Sequence, residues 1–305
     1  TLESRLYKSV NGMPRNITRR YLYASSKIFS GVESICNMFG QRMAAITGDA
    51  SYYDYVEKAL YNTVIAGINI AGDRYFYVNP LEVVPEFCTE HTYMEHVKPV
   101  RQKWFGVACC PPNVGRTLAS LGQYIYAEDE YGVYINQFIS STADTEVRES
   151  RLKIKMNSTL LQDGKVQIEV QSSGPGNLNI RIPWYSEKCE CVQNGISIEI
   201  QPEKGYQRLS ISPGDTYISL DFHVSPRWMG ANNGVRADAG KAALMKGPLV
   251  YCLEEKENGR YLSEIFIEEN TSIEETVPAG NMMGMDVADK LVQQIQPIQM
   301  AADWM

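Results

Sequence analysis

The sequence predicts an α+β chain, a helical part followed by antiparallel β-sandwich sheets. Apolar residues recur every three to four positions up to about residue 125, and at every second position from Tyr131 onward. Turn clusters such as Gln162-Asp-Gly, Ser172-Ser-Gly-Pro-Gly and Ser212-Pro-Gly-Asp separate the alternating runs at the intervals of a sandwich. In the first part, Ile28, Val32, Ile35, Phe39 and Met43 fall on one helix face, and Thr47-Gly-Asp stops the run. A second helix begins near Ala50, turns Tyr52, Val56, Ala59, Leu60 and Val64 to one side, and ends before Gly67. Residues 73 to 112 are irregular and rich in proline and aromatics. A third helix follows with Val114, Leu118, Leu121 and Ile125 inward, entered through Pro111 and Pro112, where a first-turn proline loses no helical hydrogen bond. Helix pairs on short loops make an all-α layer. The strands expected are Val133–Ile139, Leu152–Met156, Val166–Val170, Leu178–Ile182, Ile196–Ile200, Leu209–Ile211 and Tyr217–Phe222, with Ala242–Leu253 starting or rejoining a sheet. The division expected is residues 1–127 helical and 128–305 β, the latter parting again near 230. Asp286 to Met305 loses the alternation and reads as a helix or a tail.

A chain of 305 residues with 44% apolar composition can build two cores of about 150 residues each. Lys and Arg number 29 against 36 Asp and Glu, so a net charge of −7 disfavours nucleic acid as a partner. No run approaches the ~20 apolar residues of a membrane span, and the start, Thr1-Leu-Glu-Ser-Arg, lacks the pattern of a signal peptide. A membrane is therefore not expected, and residues upstream of Thr1 are. Seven cysteines over this length make no disulfide scaffold. A reducing compartment, the cytoplasm before the periplasm, or a metal suits them better.

The most unusual local feature is Trp104-Phe-Gly-Val-Ala-Cys-Cys-Pro-Pro-Asn113, two adjacent cysteines just before a helix. The free amides and positive dipole end of a helix N-terminus stabilise a thiolate. Cys109 and Cys110 are thus candidates for a nucleophile or for metal ligands, or else small residues filling space beneath a helix start. Glu33 and Cys36 stand three apart, neighbours on one helix surface. With Cys109 and Cys110 they offer three sulfurs and one oxygen, a set that suits tetrahedral zinc; separately, Glu33 reads as solvated and Cys36 as core. Only three histidines exist, too few for a His-rich metal centre. Glu90, His91 and His96 cluster ahead of the cysteine pair, either as a solvated loop or as the rim of a pocket for a polar ligand such as a sugar.

The blocks Phe76-Tyr-Val-Asn-Pro-Leu-Glu82, Trp104–Asn113, Gln123-Tyr-Ile-Tyr126, Val133–Phe138, Leu178-Asn-Ile-Arg-Ile-Pro-Trp184 and Ala237–Glu254, in this order, resemble glycoside hydrolase family 127, the β-L-arabinofuranosidase family. The resemblance covers about residues 50 to 260, and the double-cysteine block is its most specific part. It implies the later part of an α/α barrel followed by β-sandwich domains. It also implies a retaining glycosidase for β-L-arabinofuranosides or related plant-derived sugars, with Cys109 as nucleophile and zinc held by Cys109, Cys110, Glu33 and Cys36. The family's Glu-x-Cys pair is here one residue longer, Glu33-Ser-Ile-Cys36. No Asp or Glu occurs between Glu3 and Glu33, so no general acid is assigned and Glu3 is the only upstream substitute. The alternative reading is a non-catalytic carbohydrate-binding or interaction module that keeps the fold without the acid. A half-barrel exposes apolar helix faces, so a second copy or an upstream segment is expected to complete it.

Overall fold

The computed structural model describes residues 30–69, 71–78, 83–88, 97–106, 109–230, 232, 240–253, 262 and 265, with side chains from Asn37 onward except Phe87. Among the described residues sheet dominates and helices are few. Helix α1 (Ser30–Thr47) stops where Gly48 takes a left-handed φ of 65° and its N–H returns to the Ala44 carbonyl at 2.8 Å. Asp49 then accepts from the Ser51 N–H at 2.9 Å and opens helix α2 (Ser51–Ala59). Where α1 meets α2 the residue is Gly40, and a Cβ there would lie 2.7 Å from the Val56 side chain and 3.3 Å from the Tyr52 carbonyl. The apolar run expected as one second helix continues past Ala59 as a π-helical turn, Leu60–Ile65, with Leu60, Tyr61, Thr63, Val64 and Ile65 buried. Helix α3 (Cys110–Ala119) is followed by a separate short turn, Gly122–Ile125, so the expected third helix is broken in two. That break rotates the stripe: Val114, Thr117, Tyr124 and Ile125 are buried, whereas Leu118 is 40% exposed.

Among the described residues the strands form three sheets. The first is β1 (Tyr126–Glu128), β2 (Gly132–Ile135), β6 (Gly176–Arg181) and β9 (Tyr206–Ile211), in the order β1-β2-β6-β9. The second is β3 (Ser141–Val147), β4 (Ser150–Ser158), β5 (Lys165–Ser172), β10 (Gly214–Asp221), β7 (Glu190–Gln193) and β8 (Ile196–Ile198), adjacent as written. The third is β11 (Pro226–Gly230), β12 (Ala242–Lys246) and β13 (Leu249–Val250). One expectation is corrected: the pairing is not antiparallel throughout, because β2 runs parallel to β6 with Val133 opposite Leu178 and Ile135 opposite Ile180. Between them the chain leaves the first sheet, lays down β3, β4 and β5 in the second, and returns; a parallel neighbour needs such a crossover. Strands β4 and β5 alternate buried and exposed residues, and Leu152, Ile154, Met156, Val166, Ile168 and Val170 are all at most 1% exposed.

The chain divides into two compact units, one from the described parts of Thr1–Ser34, Leu60–Val114 and Pro226–Met305, the other from Ile35–Ala59 and Gly115–Ser225. In the second unit, α2 docks onto the end of the first sheet. The Ala50 N–H donates to the Lys204 carbonyl at 2.9 Å, and the Gln137 amide donates to the Tyr53 carbonyl at 3.2 Å. Gly205 sits at φ 82°, where a Cβ would come within 2.8 Å of the Ala50 Cβ. Gly205→Ala is expected to cost about 1–3 kcal/mol, from left-handed strain plus the clash, read as a lower urea midpoint at unchanged slope.

The same junction buries a charge network. Arg181, wholly buried at the end of β6, lies 2.6 Å from Asp54 Oδ1 and 2.8 Å from Glu57 Oε1, and its Nε donates to the Asn136 carbonyl at 2.6 Å. The Tyr185 hydroxyl donates to Glu57 Oε1 at 3.2 Å. Burial raises both carboxyls above their ordinary values, against the pull of Arg181. Burial works against the Arg181 cation too, but the charges of Glu57 and Asp54 outweigh it and raise its pKa.

In the first unit, the Asn62 side chain clamps the π-helical turn to the third sheet, donating to the Pro248 carbonyl at 2.7 Å and accepting from the Val250 N–H at 2.8 Å. Among the described residues no helix is long and apolar enough to cross a membrane.

Candidate active site

The site is built from a short extended segment in the first unit. Asn69 Oδ1 accepts from the N–H groups of Asp73 and Arg74 at 3.0 and 2.8 Å, and Gly72 supplies a φ of 71°, closing a turn that bridges Ile68 to Tyr75. Tyr75 then exchanges two backbone hydrogen bonds, each 3.0 Å, with Gln102. Extended residues alternate sides. Phe76 and Val78 are buried on one side, while Tyr75 and Tyr77 turn to the other and share Phe105, their rings centred 5.2 and 5.4 Å from it. Arg101, buried behind them, donates to the Ala66 carbonyl at 2.6 Å and lies 4.7 Å from the Phe76 ring centre.

Cys109 immediately precedes α3, and Cys110 is its first residue. The Asn113 side chain, one turn on, donates to the Cys109 carbonyl at 2.8 Å, fixing the backbone that carries the exposed Cys109 thiol. Cys110 is fully buried, and its sulfur donates to the Tyr77 carbonyl at 3.7 Å. The Tyr77 hydroxyl lies 3.3 Å from Cys109 Sγ, so one residue touches both sulfurs. The hydrogen bond to Cys109, with burial second, pushes the Tyr77 phenol up to about 12, which keeps it a donor. Burial, with smaller contributions from the two cysteines, also raises Tyr75.

The two sulfurs are 3.7 Å apart. Two thiolates sharing one tetrahedral zinc at ~2.3 Å each would stand ~3.8 Å apart, so the pair fits such an ion. Among the described residues no three His, Cys, Asp or Glu side chains gather closely enough to hold a metal. The other two expected donors, Glu33 and Cys36, stand on α1 with side chains outside the described residues, and Glu3, Glu90, His91 and His96 lie outside them altogether. Of the residues singled out in the sequence, then, the structure brings together Cys109 and Cys110. It adds Tyr77 and Phe105. Both lie inside the resembling blocks Phe76–Glu82 and Trp104–Asn113, but no local pattern marked either as part of a site.

Three family models match the chain in order: the β-L-arabinofuranosidase GH127 catalytic domain over residues 34–123, the GH127 middle domain over 132–222, and the family 127 C-terminal domain over 226–298. A non-reducing end β-L-arabinofuranosidase of Bifidobacterium longum subsp. longum is 37% identical over 231 residues, 73% of this chain and 34% of the relative. The crystal structure of a GH127 β-L-arabinofuranosidase from Geobacillus stearothermophilus T6 is similar at 38% identity and a TM-score of 0.70, over 74% of this chain and 36% of that one. A second GH127 β-arabinofuranosidase structure is similar at 27% identity and a TM-score of 0.66, over 73% and 37% of the two chains. The chain therefore spans about a third of the length of these relatives. With catalytic, middle and C-terminal models all matched in sequence order, the chain belongs to glycoside hydrolase family 127.

Proposed function

We propose that this chain carries the nucleophile of a retaining glycosidase acting on β-L-arabinofuranosides or related plant-derived sugars. The observation that supports it most is the exposed Cys109 thiol at the N-terminus of α3, 3.7 Å from Cys110 Sγ, in a member of this family. Cys109 attacks the anomeric carbon, and the bond to the leaving oxygen breaks as a carboxylic acid protonates it. Water then displaces the sulfur from the glycosyl-cysteine, with that carboxylate taking its proton, so two inversions retain configuration. Cys109, Cys110, Glu33 and Cys36 would hold zinc, which when bound keeps the thiolate ionised and oriented. The helices belong, on this reading, to an α/α barrel portion within residues 1–127, completed by a second copy or an upstream segment. The sheets form sandwich domains over 128–305, divided near 230, and the cytoplasm keeps the thiols reduced.

The test is zinc content after dialysis together with release of L-arabinose from a β-L-arabinofuranoside. About one zinc per chain, lost in Cys110→Ala, with arabinose released by the parent alone, is the expected result. Sugar binding without release would favour the second reading, a carbohydrate-binding module. The lack of any Asp or Glu between Glu3 and Glu33 supports that alternative.

A further inference from the structure

We infer that the Tyr77 hydroxyl assists the departure of Cys109 from the sugar, an inference that rests on the glycosidase reading above. The hydroxyl lies 3.3 Å from Cys109 Sγ. Its ring is held on one side by Phe105 and packs against the buried cluster of Val78, Cys88 and Val97. The backbone leading to it is pinned at Tyr75 to Gln102, and its own carbonyl receives the Cys110 thiol. The donor is therefore placed before any substrate arrives, and electrostatic catalysis requires that preorganisation.

The sulfur changes character through the reaction. As a thiolate it only accepts hydrogen bonds, so Tyr77 must be the donor; once bonded to the anomeric carbon it is a thioether, a weak acceptor. The hydrogen bond is thus strong before the first step, weak in the glycosyl-cysteine, and strong again when the second step ends. In that second step the oxygen of water bonds to the anomeric carbon. The carbon–sulfur bond breaks with its electron pair leaving on sulfur, and the water proton passes to the carboxylate that acted as acid. Charge returns to the sulfur 3.3 Å from the hydroxyl, so Tyr77 stabilises that transition state more than the intermediate before it. In the first step the same bond is weakened, so Tyr77 slightly slows attack. Its removal moves the two half-reactions in opposite directions, which a merely structural role would not do.

Tyr77→Phe keeps the ring and its packing and deletes only the hydroxyl. With the full chain and p-nitrophenyl β-L-arabinofuranoside, rapid mixing of the variant is expected to release a burst of nitrophenol close to the enzyme concentration. A steady rate about ten- to a hundredfold below the parent follows, the loss of one hydrogen bond to a charged group. Intact mass should find arabinosyl-enzyme accumulated in the variant and not in the parent. No burst and no adduct, with turnover within about twofold of the parent, would overturn the inference. So would equal loss in the burst and in the steady rate. A parent that neither turns over nor forms adduct sinks the glycosidase reading and takes this one with it, whereas an active parent beside an unaltered variant sinks the Tyr77 role alone.

Discussion

On the proposed mechanism, Cys109→Ser should lose arabinofuranoside hydrolysis by a factor on the order of 10⁴ or more in kcat, since removing a covalent nucleophile leaves only binding and positioning. Serine is nearly isosteric, but its hydroxyl does not ionise near neutrality and is a poor leaving group in the second displacement. The side chain is exposed, and its contacts with Cys110 Sγ and the Tyr77 hydroxyl are ones a serine nearly keeps, so thermal stability should stay within about 0.5 kcal/mol of the parent. Loss of turnover with an unchanged melting transition is the signature of a chemical role. Equal turnover by variant and parent would remove the cysteine from the mechanism.

The largest expected effect on stability is at Arg181. Arg181→Met leaves Asp54 and Glu57 at a buried junction without their cation, and breaking a buried pair from one side costs about 3–5 kcal/mol. The companion variant Arg181→Met/Glu57→Leu, which removes a buried charge of each sign, should recover part of that loss. Denaturant midpoints read both. The loss should also depend on pH. Burial already raises both carboxyls above their ordinary 3.8 and 4.5, and without the guanidinium they rise further. A raised carboxyl contributes its stability fully below its unfolded value and loses it as pH rises through the folded one. The single variant should accordingly be more stable near pH 5 than at pH 7. A pH-independent deficit of under about 1 kcal/mol would mean the network is solvated.

The parts of the fold that were legible in the sequence are those where one face alone is buried. Lys165–Ser172 alternates without a lapse because only one side of β5 meets apolar neighbours. Ser141–Val147, by contrast, forms the edge strand β3 from Ser, Thr, Ala, Asp and Glu, half-buried at best until Val147, so no alternation announced it. Glu190–Gln193 and Pro226–Gly230 were missed because they are short, and the second has no fully buried residue. The run Leu178-Asn-Ile-Arg misleads in the other direction. Its polar positions look solvent-facing, yet Asn179 and Arg181 are buried together with Leu178 and Ile180, and α2 supplies the acids that Arg181 meets. At the site, the cysteine pair was visible through its place before a helix. Tyr77 was not, because what makes it matter is a contact with a sulfur 32 positions away, and no local pattern encodes that distance.

The junction of α2 with β6 also bears on how such chains can be rearranged. Residues 51–59 fall inside the stretch matched by the catalytic-domain model, whereas Arg181 falls inside the stretch matched by the middle-domain model, yet both belong to one compact unit. A recombination that cut between the two matched stretches would separate an arginine from its acids and uncover the end of the first sheet, where α2 docks. The heritable building block here is consequently larger than the middle domain: it includes the preceding helix, and a gene rearrangement that carries the sheets without it delivers an incomplete piece.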